Sequence, residues 1–519
     1  MVGDETVFRT FQTPSCRRPR RRTRKDLSTM RRRLTGAFVA LAVVVAPVGV
    51  AKAASFNVKD YGAKGDGKAI DSVAIDKAIA AASAANGGVV EIPPGTYLSR
   101  SIHLKSNITI NIQQGARIVA SGSGIDAPES NPNSRYQDFG HSHFRNALLW
   151  GENVENINFT GKGVIDGANK LETGENIPAG KGDKMLSLKF CKNVNITDVT
   201  FREAGHFAII VNGCNGMKLD RITVDTPDDR DGINFINSSN IELSNSTVIS
   251  SDDAVAFKSD YATGKTFLSE NNIVRDSTIQ STENNAIQFG SETCGSFKNV
   301  QFRNLKVTGA SKAGLGMVSM DGAVIEDVVY DNIQLTKTAS PIFIHIGKRG
   351  RCPNNPPTGK IRNITYRNIT GTNLTAPRDI PGDPEYASTI SGRSDSKITG
   401  LTFDNVKLTV PGNHKESDAS KSPPEVSGEY PPRIFGVRPA FGFWIRNATD
   451  VKFLNSTVEF EKNDGRPAFT TDSVQNISLN GVKVERSTGA NDLQWRKSSG
   501  MSVTDSTTTN GQALRAKTN

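Results

Sequence analysis

Between Asn156 and Val482 one short pattern recurs eleven times: an aliphatic residue, alternating polar and apolar positions, then Asn, Asp or another small residue before a second aliphatic pair. Anchored on the first aliphatic residue, the copies fall at Ile157, Val194, Met217, Ile241, Ile273, Val300, Val328, Ile364, Leu401, Val451 and Ile477. Typical copies read NVNITDVTF from Asn193, NIELSNSTV from Asn240 and NVQFRNLKV from Asn299. Most anchors lie 23 to 37 residues apart, the range in which self-similarity marks a solenoid or an array. Alternation with period two, rich in Val, Ile, Thr and Phe and broken by Asn, Asp, Ser and Gly, is strand-and-turn chemistry. One such coil cannot bury its apolar face alone, so successive coils must stack and share a core. The expected fold is all-β: a single-stranded right-handed parallel β-helix. A β-propeller needs longer, more regular units with aromatic signatures, and aromatic residues make up 7% of this chain.

An open solenoid leaves its end strands without partners, so its ends need covers. Asp71 is placed to N-cap a helix through Val73, Ile75, Ala78 and Ile79, which Gly87-Gly88 would stop. This predicts an N-terminal capping helix. Pro411 to Arg433 is rich in Pro, Ser and charge and predicts a long insertion, because the repeat resumes after it. The expected organisation is a leader over 1–53, a β-helix catalytic domain over 54–495, and a loose polar C-terminal tail over 496–519.

The net charge of +10 is unevenly spread. Up to Ala53 there are 12 Lys/Arg against 3 Asp/Glu, and beyond it 51 against 50. The near-neutral remainder gives no support for a polyanion-binding protein, so no nucleic-acid partner is expected. Arg31-Arg32-Arg33, the apolar run from Ala37 to Val50, and Ala51-Lys52-Ala53 form the three parts of an export signal too short for stable membrane insertion. Cleavage near Ala53 and a secreted protein, expected as a monomer, follow. General secretory and twin-arginine routes both fit.

Export permits disulfides among Cys191, Cys214, Cys294 and Cys352. Cys191 and Cys214 lie one coil apart, which suits either a bridge or two buried thiols. There is no Cys-x-x-Cys or His/Cys cluster, so neither a metal site nor a cofactor is expected.

The chemistry concentrates in DRDGINF from Asp229 and SSDDAVAFKSD from Ser250. Asp231 and Asp252 are 21 residues apart, about one coil, so strands about 4.8 Å apart should present them on one wall. Asp253 adds a third carboxylate. Three such groups in one cleft cannot all ionise freely, so one should keep its proton near neutral pH while another stays a base. Glycosidic hydrolysis needs that pairing of an acid for the leaving oxygen with a carboxylate for water. A lone Asp at a solenoid turn would as readily cap backbone amides or hold a structural cation.

At these residues the chain resembles glycoside hydrolase family 28, the polygalacturonase-type pectin hydrolases of the pectin-lyase-like solenoids. The likeness extends through FNVKDYGAKGDGKAIDSVAIDKAI from Phe56 and GKGVIDG at Gly161 to Gly167. That family carries Asn-Thr-Asp-Gly, Asp-Asp, Gly-His-Gly and Arg-Ile-Lys. Asp231 matches the third residue of the first motif, and Asp252 and Asp253 match the second. The resemblance implies Asp252 as general acid, Asp231 and Asp253 as holders of the attacking water, inversion at the anomeric carbon, and a pectic or related plant cell-wall polysaccharide as substrate.

Two motifs depart. Asn285 stands where Gly-His-Gly would put its histidine, and GLGMVSMDG from Gly314 holds nothing like Arg-Ile-Lys. The departures tell against plain polygalacturonic acid, and His206, Lys258, Asn285, Gln288 and Glu292 become candidate sugar contacts. KRGR from Lys348 is a basic patch that could hold an acidic sugar or simply be a solvated loop. Trp444 belongs to the core or to a sugar-stacking platform. Two other readings fit the same architecture: a polysaccharide lyase, and a non-catalytic carbohydrate-binding β-helix.

Overall fold

From Ser55 the chain winds parallel coils, each strand pairing with its counterpart one coil before and one coil after. The computed structural model describes residues 53–136, 139–174, 177–178, 180–228, 230–377 and 387–519. The expected export signal lies outside the described residues. Asp231–Ile236 is typical: it pairs in parallel with Phe207–Asn212 behind it and Val255–Ser259 ahead of it. The register holds like residues in columns, such as Ile209, Ile233, Val255, Ile287, Leu315 and Ile342 on one inner face. All six are buried in one continuous apolar cluster, which is the shared core that the period-two pattern requires. On another inner face Phe302, Tyr330, Tyr366, Phe403 and Phe453 stack ring on ring, with centroids 4.7, 4.7, 5.1 and 4.5 Å apart. The architecture is the right-handed parallel β-helix.

The asparagines of the repeat sit at its turns. Asn304, Asn332, Asn368 and Asn405 all have φ between 53° and 55°, the left-handed region that Asn tolerates better than bulkier residues. Their amides bond from coil to coil, Asn332 to Asn304 at 2.9 Å and Asn405 to Asn368 at 2.8 Å.

Helix α1, Ser72–Ala84, closes the first coil with Ala74, Ile75, Ala78, Ile79 and Ala82 inward. Val73 instead faces solvent, 61% exposed. Asp71 occupies the N-cap, yet its carboxylate does not bond the helix. It accepts from Lys64 N at 2.7 Å and Gly65 N at 3.0 Å, tying the preceding loop to the cap. At the other end the expected loose tail is ordered. Ser502–Thr504 pairs with Ser478–Asn480, Thr507–Thr508 with Lys483–Val484, and Ala516–Thr518 with Leu493–Trp495. An end coil has solvent on its far side, so it needs backbone pairing more than an apolar stripe, and its sequence lacks the stripe.

Outside the coil, two smaller apolar clusters cover one sheet. Residues of the 411–433 insertion and its sequel, Val426, Tyr430, Ile434 and Phe435, pack on Phe343, Met320, Ala313, Val318, Ala440 and Trp444. Trp444 therefore belongs neither to the solenoid core nor to an open sugar platform; its neighbours Phe443 and Ile445 point inward instead. Toward the N-terminal side, Phe144 and Ala262 pack on Phe207, Ile210 and Ile236 of the same sheet. The disulfide joins Cys294 to Cys352. Cys191 and Cys214 are buried free thiols, with Cys191 N donating to Cys214 Sγ at 3.2 Å.

Candidate active site

Asp231 opens its strand beside Phe207 of the previous coil. Gly232 follows because the next coil approaches closely there: a Cβ at this position would lie 2.4 Å from Ala254 O. Gly232 N donates to Asp253 O at 2.9 Å, and Asp252 N donates to Arg230 O at 3.1 Å. These ladder bonds bring the two Asp motifs together on one wall, in the register expected from their spacing. A pocket there is lined by Asp231, Asp252, Asp253, His206, Lys258 and Glu292, with His141, Phe207, Arg230, Ser291 and Tyr430.

Lys258 is the hub. Its Nζ lies 3.1 Å from Asp231 Oδ2, 3.7 Å from Asp253 Oδ2 and 3.0 Å from His141 Nε2. An ammonium only donates, so Nε2 of His141 accepts and its Nδ1 carries the hydrogen, 4.0 Å from Glu292 Oε1. Burial alone would push the Asp231 carboxyl up, but Lys258 and Arg230 hold it below the ordinary carboxylate range. Burial pushes the Asp253 carboxyl up to about 7; Lys258 offsets part of the rise, while Asp252 and Asp231 add to it. Lys258 itself would be lowered by burial, yet Asp231, Glu292, Asp253 and Asp252 hold its ammonium above its usual value. Burial and Arg230 drive His206 down to about 2, so its ring is neutral. The cluster thus sets a carboxyl held low, Asp231, beside one pushed up to about 7, Asp253.

Asp252 is surrounded by donors. Arg230 Nη2 lies 2.5 Å from its Oδ2, and its Oδ1 accepts from Asp253 N at 2.8 Å and from the Asn284 amide. Asn285 stands behind this pair. It donates to Asp253 Oδ1 and to Asn284 Oδ1, both at 2.9 Å, and accepts from Ala313 N at 3.1 Å. Asn285 therefore backs the carboxylates instead of lining the pocket as a sugar contact. Gln288, the other displaced candidate, is buried against Gly316, where a Cβ would meet its Oε1 at 2.0 Å. Of the basic patch, Lys348 is exposed, while Arg349 turns inward and bonds Asp321 at 2.6 Å and Ser291 O at 3.0 Å, bracing the pocket wall.

Five lining residues escaped the sequence reading: His141, Phe207, Arg230, Ser291 and Tyr430. Arg230 stands inside DRDG, where the family motif has Thr, so its position was available as a signal. His141 lies in the 3-10 turn Phe139–Ser142 and Tyr430 in the insertion; neither has a place in the repeat register that could have pointed to it.

A parallel β-helix that gathers carboxyls of opposite shift in one pocket has the equipment of a solenoid glycoside hydrolase. The chain belongs to glycosyl hydrolases family 28, whose profile matches residues 90–427; residues 55–123 also match the rhamnogalacturonase A/epimerase, pectate lyase-like family. It is 26% identical over 387 residues to a polygalacturonase of Malus domestica, covering 69% of this chain and 75% of that protein. An exopolygalacturonase of Zea mays is 26% identical over 398 residues, covering 70% and 86%. An exo-poly-alpha-D-galacturonosidase of Dickeya chrysanthemi is 24% identical over 438 residues, covering 68% and 71%. Among solved structures, a family 28 exopolygalacturonase of Yersinia enterocolitica shares the fold at TM-score 0.60 and 19% identity, covering 82% of this chain and 79% of that one. A hyperthermoactive exopolygalacturonase from Thermotoga maritima does so at TM-score 0.57 and 18% identity, covering 78% and 91%.

Proposed function

We propose that the protein is a secreted, monomeric hydrolase that releases uronic-acid units from the ends of pectic polysaccharide. Asp252 protonates the leaving oxygen, and Asp231 with Asp253 holds the attacking water, with inversion at the anomeric carbon as the resemblance implies. Secretion rests on the three-part leader; no helix among the described residues is long and apolar enough to cross a membrane.

The observation that carries the end-acting mode is the double cover on the site-bearing sheet. A chain cut internally must leave the cleft on both sides of the carboxylates. Here Tyr430 and the cluster beneath it stand on one flank, and His141 with the Phe144 cluster on the other. Two of the relatives above are named as exo-acting. Incubating the purified chain with homogalacturonan, rhamnogalacturonan fragments and neutral glycans, with product size followed over time, tests the reading. Uronic-acid monomer from the first time points is expected. Early mid-length fragments would contradict the end-acting mode, and an unsaturated, ultraviolet-absorbing product would mark a lyase.

A further inference from the structure

The geometry points to a second binding site on this chain, a groove at Phe190 and Gly213 that holds acidic polysaccharide away from the catalytic carboxylates. The inference takes its ligand class from the hydrolase reading above and adds an anchoring site to it.

The site begins with an exception in the repeat. Just after the strands that end at Glu152, Lys189, Asn212 and Ile236, successive coils place Asn153, Phe190, Gly213 and Asn237. Their amides donate to Lys189 O, Asn212 O, Ile236 O and Lys258 O, so the four stand in one column. All have positive φ, at 56°, 55°, 69° and 51°, the left-handed region that Asn and Gly tolerate and a bulky aromatic residue does not favour. Phe190 holds that conformation at a cost in stability, and its half-buried ring lies outside the solenoid core that could offset it. The ring rests over Gly213, where a Cβ would meet it at 2.7 Å, and its centroid is 6.4 Å from that of Phe267. The coil after Phe190 thus gives up a side chain to make room for the aromatic pair.

Beside the ring of Phe190 runs a groove of about 440 Å³, within the size range of ligand pockets. Lys265 reaches across both rings, its Nζ 4.9 Å from the centroid of Phe267 and 5.9 Å from that of Phe190. Lys192 lines the groove next to Glu155 of the coil before. Lys189, the neighbour of Phe190, is already paired with Glu152 at 2.9 Å. Lys192 and Lys265 are exposed and form no ion pair among the described residues. With Glu155 as the one acidic lining residue, the groove is positive on balance.

That combination suits a polyuronate. An aromatic face attracts the C–H face of a sugar ring, whose hydrogens carry partial positive charge. The two ammonium groups take ring carboxylates, and Glu155 and Asn153 accept from hydroxyls. A neutral glycan would use the rings and leave both lysines without a partner. Phe207 opens a strand and lines the catalytic pocket, while Gly213 follows the end of that strand and lines the groove. At the rise of a strand the two lie about 20 Å apart. A polymer held at the groove therefore stays close to the carboxylates, which raises its effective concentration there without any new contact to the reacting sugar.

Native electrophoresis of the purified chain through gels containing polygalacturonate or dextran reads binding whether or not the chain turns over. Wild type is expected to be retarded by polygalacturonate and not by dextran, and less so as salt screens the lysines. Phe190→Asn gives the turn the residue that Asn153 and Asn237 supply in the same column, so it keeps the fold, and should weaken polygalacturonate binding about 10-fold. The double variant Lys192→Gln with Lys265→Gln should weaken it about 5-fold. Unchanged retardation in these variants, or equal retardation of wild type by dextran, would overturn the proposal. Kinetics gives a second readout: in Phe190→Asn the ratio of KM on the polymer to KM on digalacturonate should rise about 10-fold, whereas a folding defect would move both alike. An unchanged ratio counts against the groove. The two readings fail separately. Retardation that both variants abolish, in a chain that cleaves nothing, would sink the hydrolase and support the groove; cleavage with retardation indifferent to both variants would sink the groove alone.

Discussion

The Lys258 ammonium lies 3.1 Å from Oδ2 of Asp231, and this contact divides the labour among three crowded carboxylates. One buried cation cannot neutralise all of them. It sits nearer Asp231 than Asp253, 3.1 against 3.7 Å, so the Asp231 carboxyl is held low while burial pushes that of Asp253 up to about 7.

Removing that ammonium should therefore cost activity without removing any carboxylate. Lys258→Met is expected to lower kcat about 100-fold, within the range for losing a group that tunes acid–base catalysts. His141→Gln, which keeps an acceptor near Lys258, should lose less than His141→Ala. Steady-state kinetics on an oligogalacturonate distinguishes them; equal losses in the two His141 variants would argue that the ring itself contacts the sugar.

Asp252→Asn and Asp253→Asn each remove a proton-handling group while keeping size and shape. Each should lower kcat by about 100- to 10,000-fold with little change in melting temperature. A variant at Asp252 that retained activity would contradict its place in the mechanism.

The pH profile follows from Asp253. Burial pushes its carboxyl up to about 7, and only the ionised form can take a proton from the water it holds, so kcat/KM should rise as pH rises through about 7. Asp260, buried and held by Asn212 and Asn237, is likewise pushed up by burial to about 7. Both groups bind more protons folded than unfolded, where the carboxyl value is 3.8. Their stabilisation is complete below that value and is lost as pH rises through the folded value. The melting temperature should then decline between pH 5 and pH 8, and Asp260→Asn should flatten the decline. A flat wild-type profile over that window would count against both assignments.

The aromatic column offers a stability test remote from the site. Tyr330 and Tyr366 stack at 4.7 Å, and their hydroxyls are buried with no hydrogen-bond partner. Tyr366→Phe keeps the ring and removes the stranded hydroxyl, so it should stabilise the protein by about 1 kcal/mol. Tyr366→Ala should destabilise it by about 3–5 kcal/mol, the cost of a large core cavity. Chemical denaturation of the mature chain measures both.

Much of this molecule was legible in one dimension. A β-helix has no long-range puzzle along its axis: each coil pairs with the next, so repeat spacing becomes register directly. That is why the 21-residue interval between Asp231 and Asp252 was enough to place both on one wall, and why the capping helix could be read from Asp71 and the run after it.

Where coils leave that register, spacing carries no information. Tyr430 reaches the pocket from an insertion some 170 residues beyond Asp260, and His141 from a turn about 90 residues before Asp231; only the packing of Phe435 on Trp444, and of Phe144 on Phe207, brings them there. The Cys294–Cys352 pairing depends likewise on how the 347–352 loop folds back. The polar end coil was misread because strand pairing at a solenoid terminus satisfies backbone groups without needing an apolar face.

The sequence by itself determined the stacked coils, the family and the three neighbouring carboxylates, since all depend on contacts between adjacent turns at a constant rise. Tertiary structure alone decided which carboxyl is held low and which is pushed up, which cation lies between them, and which distant loops line the pocket. Those depend on burial and on charges brought in from distant loops, and an electrostatic environment is a property of a three-dimensional neighbourhood and not of a repeat.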